Sequence, residues 1–228
     1  MRVRNEVWSL TGRECEAMAT GFLIEENNLN SLDDDSRYRL RQAIGLKDEI
    51  VDCVTVRAIF NYYDDIAVEE EALVIDGKMF GSQVFKGIDP AQILGAYVFV
   101  LTAGDFSCPD KPVAEQVLLD LWGTAFATAG RKRLQAFFAE DGRISETFGP
   151  GLYGIPVESM PDLVSLVDAE QIGVTVNESC FLQPVKSYGG IVFRVAEDYK
   201  PRGATCATCR GAKLSCRLCE CNPKKQEP

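Results

Sequence analysis

Five cysteines near the C-terminus are the residues of this chain with the clearest capacity for chemistry. They follow the pattern Cys-x2-Cys-x6-Cys-x2-Cys-x-Cys, at Cys206, Cys209, Cys216, Cys219 and Cys221. A Cys-x2-Cys turn presents two thiolates to one metal ion or to one cluster. Because two such turns supply four ligands, this segment predicts a metal centre with one cysteine to spare, and the spacing does not decide which one.

The spacing between the two cysteine pairs bears on the identity of the metal. Four-cysteine zinc ribbons usually separate their pairs by about 15–20 residues. Here only six residues lie between Cys209 and Cys216. Such crowded thiolates favour a [4Fe–4S] cluster, and zinc in a small knuckle is the alternative.

The rest of the composition limits the chemistry that is available elsewhere. The chain of 228 residues contains no histidine, so the usual general base and the commonest nitrogen ligand to metals are absent. The first residues lack the apolar run of a signal peptide, and no stretch reaches the ~18 apolar residues of a membrane span. We therefore expect a cytoplasmic protein without a membrane partner, whose nine cysteines are thiols or metal ligands rather than structural disulfides.

Charge is distributed unevenly along the chain. The whole chain has 24 basic and 34 acidic residues, a net charge of −10. From Lys200 onward there are 7 basic and 2 acidic residues (+5), which leaves 17 basic and 32 acidic residues (−15) before it. An acidic body argues against a nucleic-acid partner, because phosphate binding requires clustered Lys and Arg.

The elements that must position any site mix strands and helices without a regular βαβ rhythm. We predict a strand over Ile50–Tyr62, a hairpin over Glu71–Phe80 that turns at Asp76-Gly77, and a helix that begins at Asp89-Pro90. The clearest long helix is Pro112–Phe138. Its predicted apolar face consists of Val113, Val117, Leu118, Leu121, Ala125 and Phe126.

The remaining segments complete the predicted fold. Ala91–Phe106 is a buried segment that could be helix or strand, and Phe148–Pro156 is a Gly/Pro-rich loop. A short helix over Ser159–Val167 and strands at Ile172–Val176 and Gly190–Val195 follow. The sum predicts an α+β fold with a twisted, largely antiparallel sheet and flanking helices.

Residues 149–193 carry a resemblance to a known family. The motifs are Pro150-Gly151 with Tyr153, then Ile172-Gly173-Val174, then Asn177-Glu178-Ser179, and finally Pro184-Val185-Lys186-Ser187 before two glycines. In this order they resemble the activation (reactivation) domain of vitamin B12-dependent methionine synthase. The resemblance extends with weaker agreement over about residues 1–195.

The resemblance implies both a domain organisation and a task. Residues 1–199 would form the activation-like domain, and 200–228 would form the Cys-rich metal-binding tail. The domain would act beside a corrinoid protein whose cobalt loses an electron and must be reduced again, with S-adenosylmethionine as methyl donor. Cofactor-binding residues implied by the family motifs are Gly149, Pro150, Gly151, Tyr153, Glu178 and Ser179; no catalytic residue is assigned.

Three positions depart from the family pattern. Thr147 stands where the family has an Arg for the ligand carboxylate, and Thr124 aligns with a Glu that binds the ligand ammonium. Each lost partner removes a charge-assisted bond of about 1.5–3 kcal/mol. Leu152 is one extra residue between Gly151 and Tyr153. These departures weigh against S-adenosylmethionine as a ligand and leave the predicted fold unchanged.

Three functional hypotheses follow. The first is an accessory protein, in an anaerobe, for reductive reactivation of a corrinoid-dependent methyltransferase, in which the tail cluster relays an electron to the corrinoid or to a dedicated reductase. The second is an enzyme that methylates cob(II)alamin reductively in trans with S-adenosylmethionine. The third is a non-enzymatic docking module with a zinc-stabilised tail.

Overall fold

A computed structural model describes residues 4–26 and 34–199, so the five tail cysteines lie outside the described residues. The elements in chain order are β1 (Glu6–Thr11), α1 (Gly12–Glu26), α2 (Asp34–Ile50), β2 (Thr55–Tyr63), β3 (Ile66–Val68), β4 (Ala72–Ile75), β5 (Lys78–Gly81), β6 (Ile93–Thr102), α3 (Val113–Phe138), β7 (Ile144–Phe148), α4 (Met160–Ser165), β8 (Thr175–Val176), β9 (Leu182–Gln183) and β10 (Ser187–Val195).

The central feature is a five-stranded sheet with the strand order β1-β2-β6-β10-β7. Every neighbouring pair in it is antiparallel. Two smaller sheets, β3-β4-β5 and β8-β9, accompany it. The predicted α+β fold with an antiparallel sheet and flanking helices is thereby confirmed.

Strand β6 lies at the centre of the sheet and is buried on both faces. Val98 and Val100 point into one apolar cluster, whereas Phe99 and Leu101 point into the other. This explains why its sequence is a continuous apolar run rather than an alternating one. Length and composition could not decide between helix and strand for this segment, and pairing with β2 and β10 decides for strand.

The three long helices cover one face of the sheet. Helix α1 begins with a capping box, in which the backbone N–H of Thr11 donates to the Glu14 carboxylate at 2.8 Å and the N–H of Glu14 donates to the Thr11 hydroxyl at 3.3 Å. Helix α3 packs on α1 and α2. Its Trp122 is fully buried and donates its indole N–H to the carbonyl of Ala43 at 2.8 Å.

Short segments cover the opposite face. The hairpin β4–β5 turns at Asp76 and Gly77, both with positive φ, as the sequence predicts. Leu73 and Phe80 from this hairpin, Leu163 from α4 and Ile155 pack on the sheet in a single apolar cluster.

No helix within the described ranges is long and apolar enough to cross a bilayer.

Several predicted boundaries differ from the structure. Residues 50–54 end α2 and form a turn, so the second strand begins at Thr55 rather than Ile50. Asp89 does cap a helical turn, because its carboxylate accepts the N–H of Ala91 at 3.0 Å. That turn is a 3-10 helix over Pro90–Gln92 only, since the chain enters β6 directly afterwards. Residues 169–172 are likewise a 3-10 helix, so the strand predicted at Ile172 begins at Thr175.

The predicted apolar face of α3 is only partly correct. Ala125 and Phe126 are buried, but Val113 and Val117 are 76% and 55% exposed. The buried residues of the helix begin at Leu119, so its first turns extend past the apolar cluster. The regular spacing of apolar residues extends N-terminally beyond the part of α3 that packs against the rest of the protein.

Candidate functional site

The predicted glycine loop follows β7 and forms a compact turn. The N–H of Leu152 donates to the carbonyl of Gly149 at 2.9 Å, and the N–H of Gly151 donates to the carbonyl of Ile155, also at 2.9 Å. Gly149 and Pro150 are buried, whereas Gly151 is exposed. The loop is therefore closed by its own backbone and presents its tip, around Gly151, to solvent.

Gly149 allows this loop to approach the last sheet strand closely. A Cβ atom at Gly149 would lie 2.8 Å from the carbonyl oxygen of Gly189 in β10. Only glycine fits here without displacing backbone. On the same strand, a Cβ at Gly189 would meet Leu163 of α4 and Leu182 of β9 within 4 Å. The first residues of β10 are thus where the glycine loop, α4 and the β8–β9 hairpin come together.

Tyr153 holds the loop on the apolar cluster. It is only 8% exposed, and its ring centroid lies 5.4 Å from that of Phe148. Its carbonyl accepts a hydrogen bond from the Ser82 hydroxyl at 2.5 Å. The structure therefore gives Tyr153 an anchoring role in the loop, and its contact with a ligand stays a prediction.

Glu178 and Ser179 lie in the exposed turn of the β8–β9 hairpin. The Asn177 side chain orders this turn, because its oxygen accepts the N–H groups of Ser179 and Phe181, each at 3.0 Å. The two side chains are accessible on a turn of fixed shape. Their predicted role in binding a cofactor is not tested by this geometry.

Lys186 connects the end of the hairpin to α3, a contact that the sequence motif did not predict. Its ammonium lies 2.7 Å from an Asp120 carboxylate oxygen and donates to the Thr124 hydroxyl at 3.0 Å. Its side chain is only 13% exposed. A Cβ at Gly123 would lie 2.8 Å from the Lys186 stem, so the missing side chain in the helix is what admits the lysine. The small residue in the middle of α3 was the available sequence signal.

Two of the three positions that depart from the family pattern, Thr147 and Thr124, replace a charged residue with an uncharged one. Thr147 is buried, and its hydroxyl accepts a hydrogen bond from the Gln135 side chain of α3 at 2.7 Å. Thr124 is exposed and is bonded to Lys186. Where the family pattern places an arginine and a glutamate, this chain therefore has two hydroxyls with partners inside the protein.

Three large apolar side chains are exposed on α3 and on the segment 181–185 that precedes Lys186. Val185 precedes Lys186 and is 70% exposed, and Val117 lies one helical turn before Asp120 on α3 and is 55% exposed. Phe181, in the hairpin turn, is 59% exposed. We refer to these three residues as the apolar rim. Exposed apolar residues that form a contiguous patch are typical of interaction sites.

The described thiols do not form a metal site. Within residues 4–26 and 34–199, no group of three or more His, Cys, Asp or Glu side chains is placed to hold a metal ion. Cys15, Cys53, Cys108 and Cys180 are free thiols. Burial raises the pKa of the Cys15 thiol to about 11, which keeps it protonated and unreactive at neutral pH.

Comparison with known proteins supports the fold. No protein-family model matches the chain, and no curated protein does. Among solved structures, the chain is similar to a crystal structure of the MetH reactivation domain bound to AdoHcy, with a TM-score of 0.55 and 9% sequence identity, over 86% of this chain and 81% of that chain. The expected resemblance in fold is confirmed, whereas at this identity a shared family, ligand or activity is not.

Proposed function

We propose that this chain is an accessory protein for the reductive reactivation of a corrinoid-dependent methyltransferase. The observation that carries the proposal is the similarity in fold, over 86% of the chain, to a domain described as a reactivation domain. The sequence motifs at residues 149–190 point independently to the same class of domain. The described domain would bind the corrinoid protein, and the tail would deliver an electron.

The apolar rim is the surface that we assign to the corrinoid protein. Val117, Val185 and Phe181 are exposed apolar side chains, and Phe181 lies in the hairpin turn. The ion pair between Lys186 and Asp120 holds the segment that contains Val185 against α3. A rim held in place before binding loses little conformational entropy when a partner covers it.

The cysteines of the tail are suitable ligands for a metal centre that delivers an electron. Cys206, Cys209, Cys216, Cys219 and Cys221 supply only soft thiolate ligands, which suit an iron–sulfur cluster or zinc. A bound [4Fe–4S] cluster would supply one electron at a time. The basic residues of the tail would offset the negative charge that several thiolates place in a small volume.

The first experiment is an absorption spectrum of the protein purified without oxygen, before and after dithionite. A broad brown absorbance that bleaches on reduction is the expected result. The double variant Cys206→Ser/Cys209→Ser should lose this absorbance, whereas the matched control Cys53→Ser/Cys108→Ser should keep it. A colourless protein with stoichiometric zinc would exclude electron relay and leave the zinc-stabilised docking module.

The docking surface has its own test. Val185→Asp places a charge on the apolar rim at an exposed position, so folding should be unaffected while binding to a corrinoid protein weakens by tenfold or more. Met79→Asp is the control, because Met79 is 60% exposed on the β4–β5 hairpin. Equal losses in both variants would contradict the assigned surface.

Reductive methylation in trans with S-adenosylmethionine is the second candidate. The AdoHcy bound by the structural neighbour favours it, and the uncharged Thr124 and Thr147 oppose it. Calorimetric titration with S-adenosylmethionine distinguishes the candidates. Heat of binding with a rise in melting temperature would establish the ligand, and the absence of both would remove this candidate.

A further inference from the structure

A cavity separate from the glycine loop opens at the end of the sheet where β2 begins and β6 ends. Its volume is about 540 Å³, within the range of small-molecule sites. Ile50, Val54, Phe106 and Leu119 give it an apolar wall. Such a wall can hold the apolar body of a small organic ligand.

Two of the charged groups in the lining are already bonded within the protein. Lys111 contacts the carboxylates of Glu49 at 2.9 Å and Glu115 at 3.1 Å. The Asp105 carboxylate accepts both the N–H and the hydroxyl of Ser107, each at 2.8 Å. These bonds hold the pKa of Asp105 below its ordinary value, so that carboxylate is anionic at neutral pH.

Arg57 is the third charged residue of the lining, and it differs from Lys111 and Asp105 in its bonding. Its guanidinium makes no ion pair or side-chain hydrogen bond with any residue of 4–26 or 34–199. In the sheet it lies opposite Ser9 and Thr102, and Thr102 in turn lies opposite Ser187. Arg57 therefore belongs to a polar row of residues across four strands. The next row on the same face of the sheet contains Ile59 and Val100.

From these observations we infer that the cavity binds a small organic anion with an apolar body. The guanidinium of Arg57 would pair with a carboxylate or sulfonate through two parallel hydrogen bonds, the geometry for which arginine is suited. The apolar body would lie against Phe106 and Leu119. In a body of net charge −15, a cation that has no partner among the described residues is a selective feature for such a ligand.

The binding test uses fluorescence of anilinonaphthalene sulfonate, a monoanion with an aromatic body. The wild-type protein should enhance the dye emission, phenylbutyrate should compete, and neutral phenylbutanol should compete at least tenfold less well. Arg57→Met should weaken dye binding at least tenfold and Arg57→Lys less, while the charge-loss control Arg41→Met, on the exposed surface of α2, should leave it unchanged. Equal binding by Arg57→Met and wild type would overturn the inference.

The sign of the ligand charge is tested at Asp105. Asp105→Asn removes a negative charge from the lining, so an anion should bind equally well or more tightly. Weaker binding of phenylbutyrate by Asp105→Asn would overturn this assignment of the lining.

The thiol of Cys108 provides a second test of ligand binding in the cavity, independent of the dye. Cys108 is half-buried in the cavity wall, so phenylbutyrate should slow its alkylation by iodoacetamide, as read by mass spectrometry of the Cys108 peptide. Cys180 is also half-buried but lies outside the cavity, and its alkylation should not change. Protection of both thiols or of neither would contradict the site, and melting temperatures establish that each variant is folded.

Discussion

The two faces of the central sheet are built differently. On one face, α1, α2 and α3 are helices of 15, 17 and 26 residues. The other face is covered by a hairpin, 3-10 turns, the six-residue α4 and the glycine loop. Both faces bury a comparable set of large apolar side chains, but only the first does so with long regular elements.

This difference indicates how the candidate site is held. A long helix packs through large buried side chains such as Trp122, so truncation of one of them leaves a cavity. A short loop depends on a few close approaches, such as that of Gly149 to Gly189. We therefore expect large truncations to be most harmful on the helical face and small additions to be most harmful on the loop face.

The largest effect is expected for Trp122→Ala on the helical face. The indole is fully buried and bonded to Ala43, so truncation leaves a cavity and removes a buried hydrogen bond. The free energy of unfolding should fall by about 3–5 kcal/mol. Denaturant unfolding measures this, and Val113→Ala at the exposed start of the same helix should change it by less than about 0.5 kcal/mol.

Gly149→Ala should give the next largest effect, on the loop face. The added methyl group would lie 2.8 Å from the Gly189 carbonyl oxygen, so backbone must shift, at a cost of about 1–3 kcal/mol. The matched control is Gly21→Ala in α1, where a Cβ meets nothing within 4 Å. That control should raise the free energy of unfolding by about 0.5–1 kcal/mol. Equal effects in the two variants would mean that the close approach is not important.

The smallest effect concerns the pH dependence of the helical face. Hydrogen bonds from Thr11 lower the pKa of Glu14 below its ordinary value of 4.5. A carboxyl group with a lowered pKa stabilises the folded state above its unfolded pKa, and this contribution is lost as pH falls through the folded pKa. Glu14→Gln should thus reduce stability at pH 7 and have little effect in acid.

Chemical denaturation at several pH values below and above 4.5 measures this difference. The control is Glu25→Gln, which removes the same charge from the exposed end of the same helix. Its effect on the free energy of unfolding should not differ between neutral and acid pH. A pH-independent effect of Glu14→Gln would contradict the role of the ionised cap.

Much of the fold could be predicted where the signal is local. Asp76-Gly77 defined a hairpin by turn chemistry, and the apolar spacing in Pro112–Phe138 defined a helix that the structure begins at Val113. The sequence of Ala91–Phe106 does not distinguish helix from strand, because a strand buried on both faces lacks alternation. Periodicity places Val113 and Val117 on the apolar face of α3, because it carries no information about where a neighbouring element stops.

The candidate site divides in the same way. The motif of Pro184 to Ser187 was visible in the sequence, but the contact of Lys186 with Asp120 was not. The two residues are 66 positions apart, and they meet because the segment just before β10 lies against α3 at Gly123. The roles of the tail cysteines and of Glu178 and Ser179 stay predictions from sequence.

The sequence by itself determined the β4–β5 hairpin, the long helix α3, the antiparallel class of the sheet and the thiolate ligands available to a metal, because each depends on residue type and short spacing. Tertiary structure alone decided the pairing of β6, the insertion of Lys186 beside α3 and the placement of Arg57 in a cavity where no described residue is its ionic partner. These three features depend on contacts between residues far apart in the chain. Local periodicity and turn chemistry carry no information about such contacts, which are fixed only when the packed core forms.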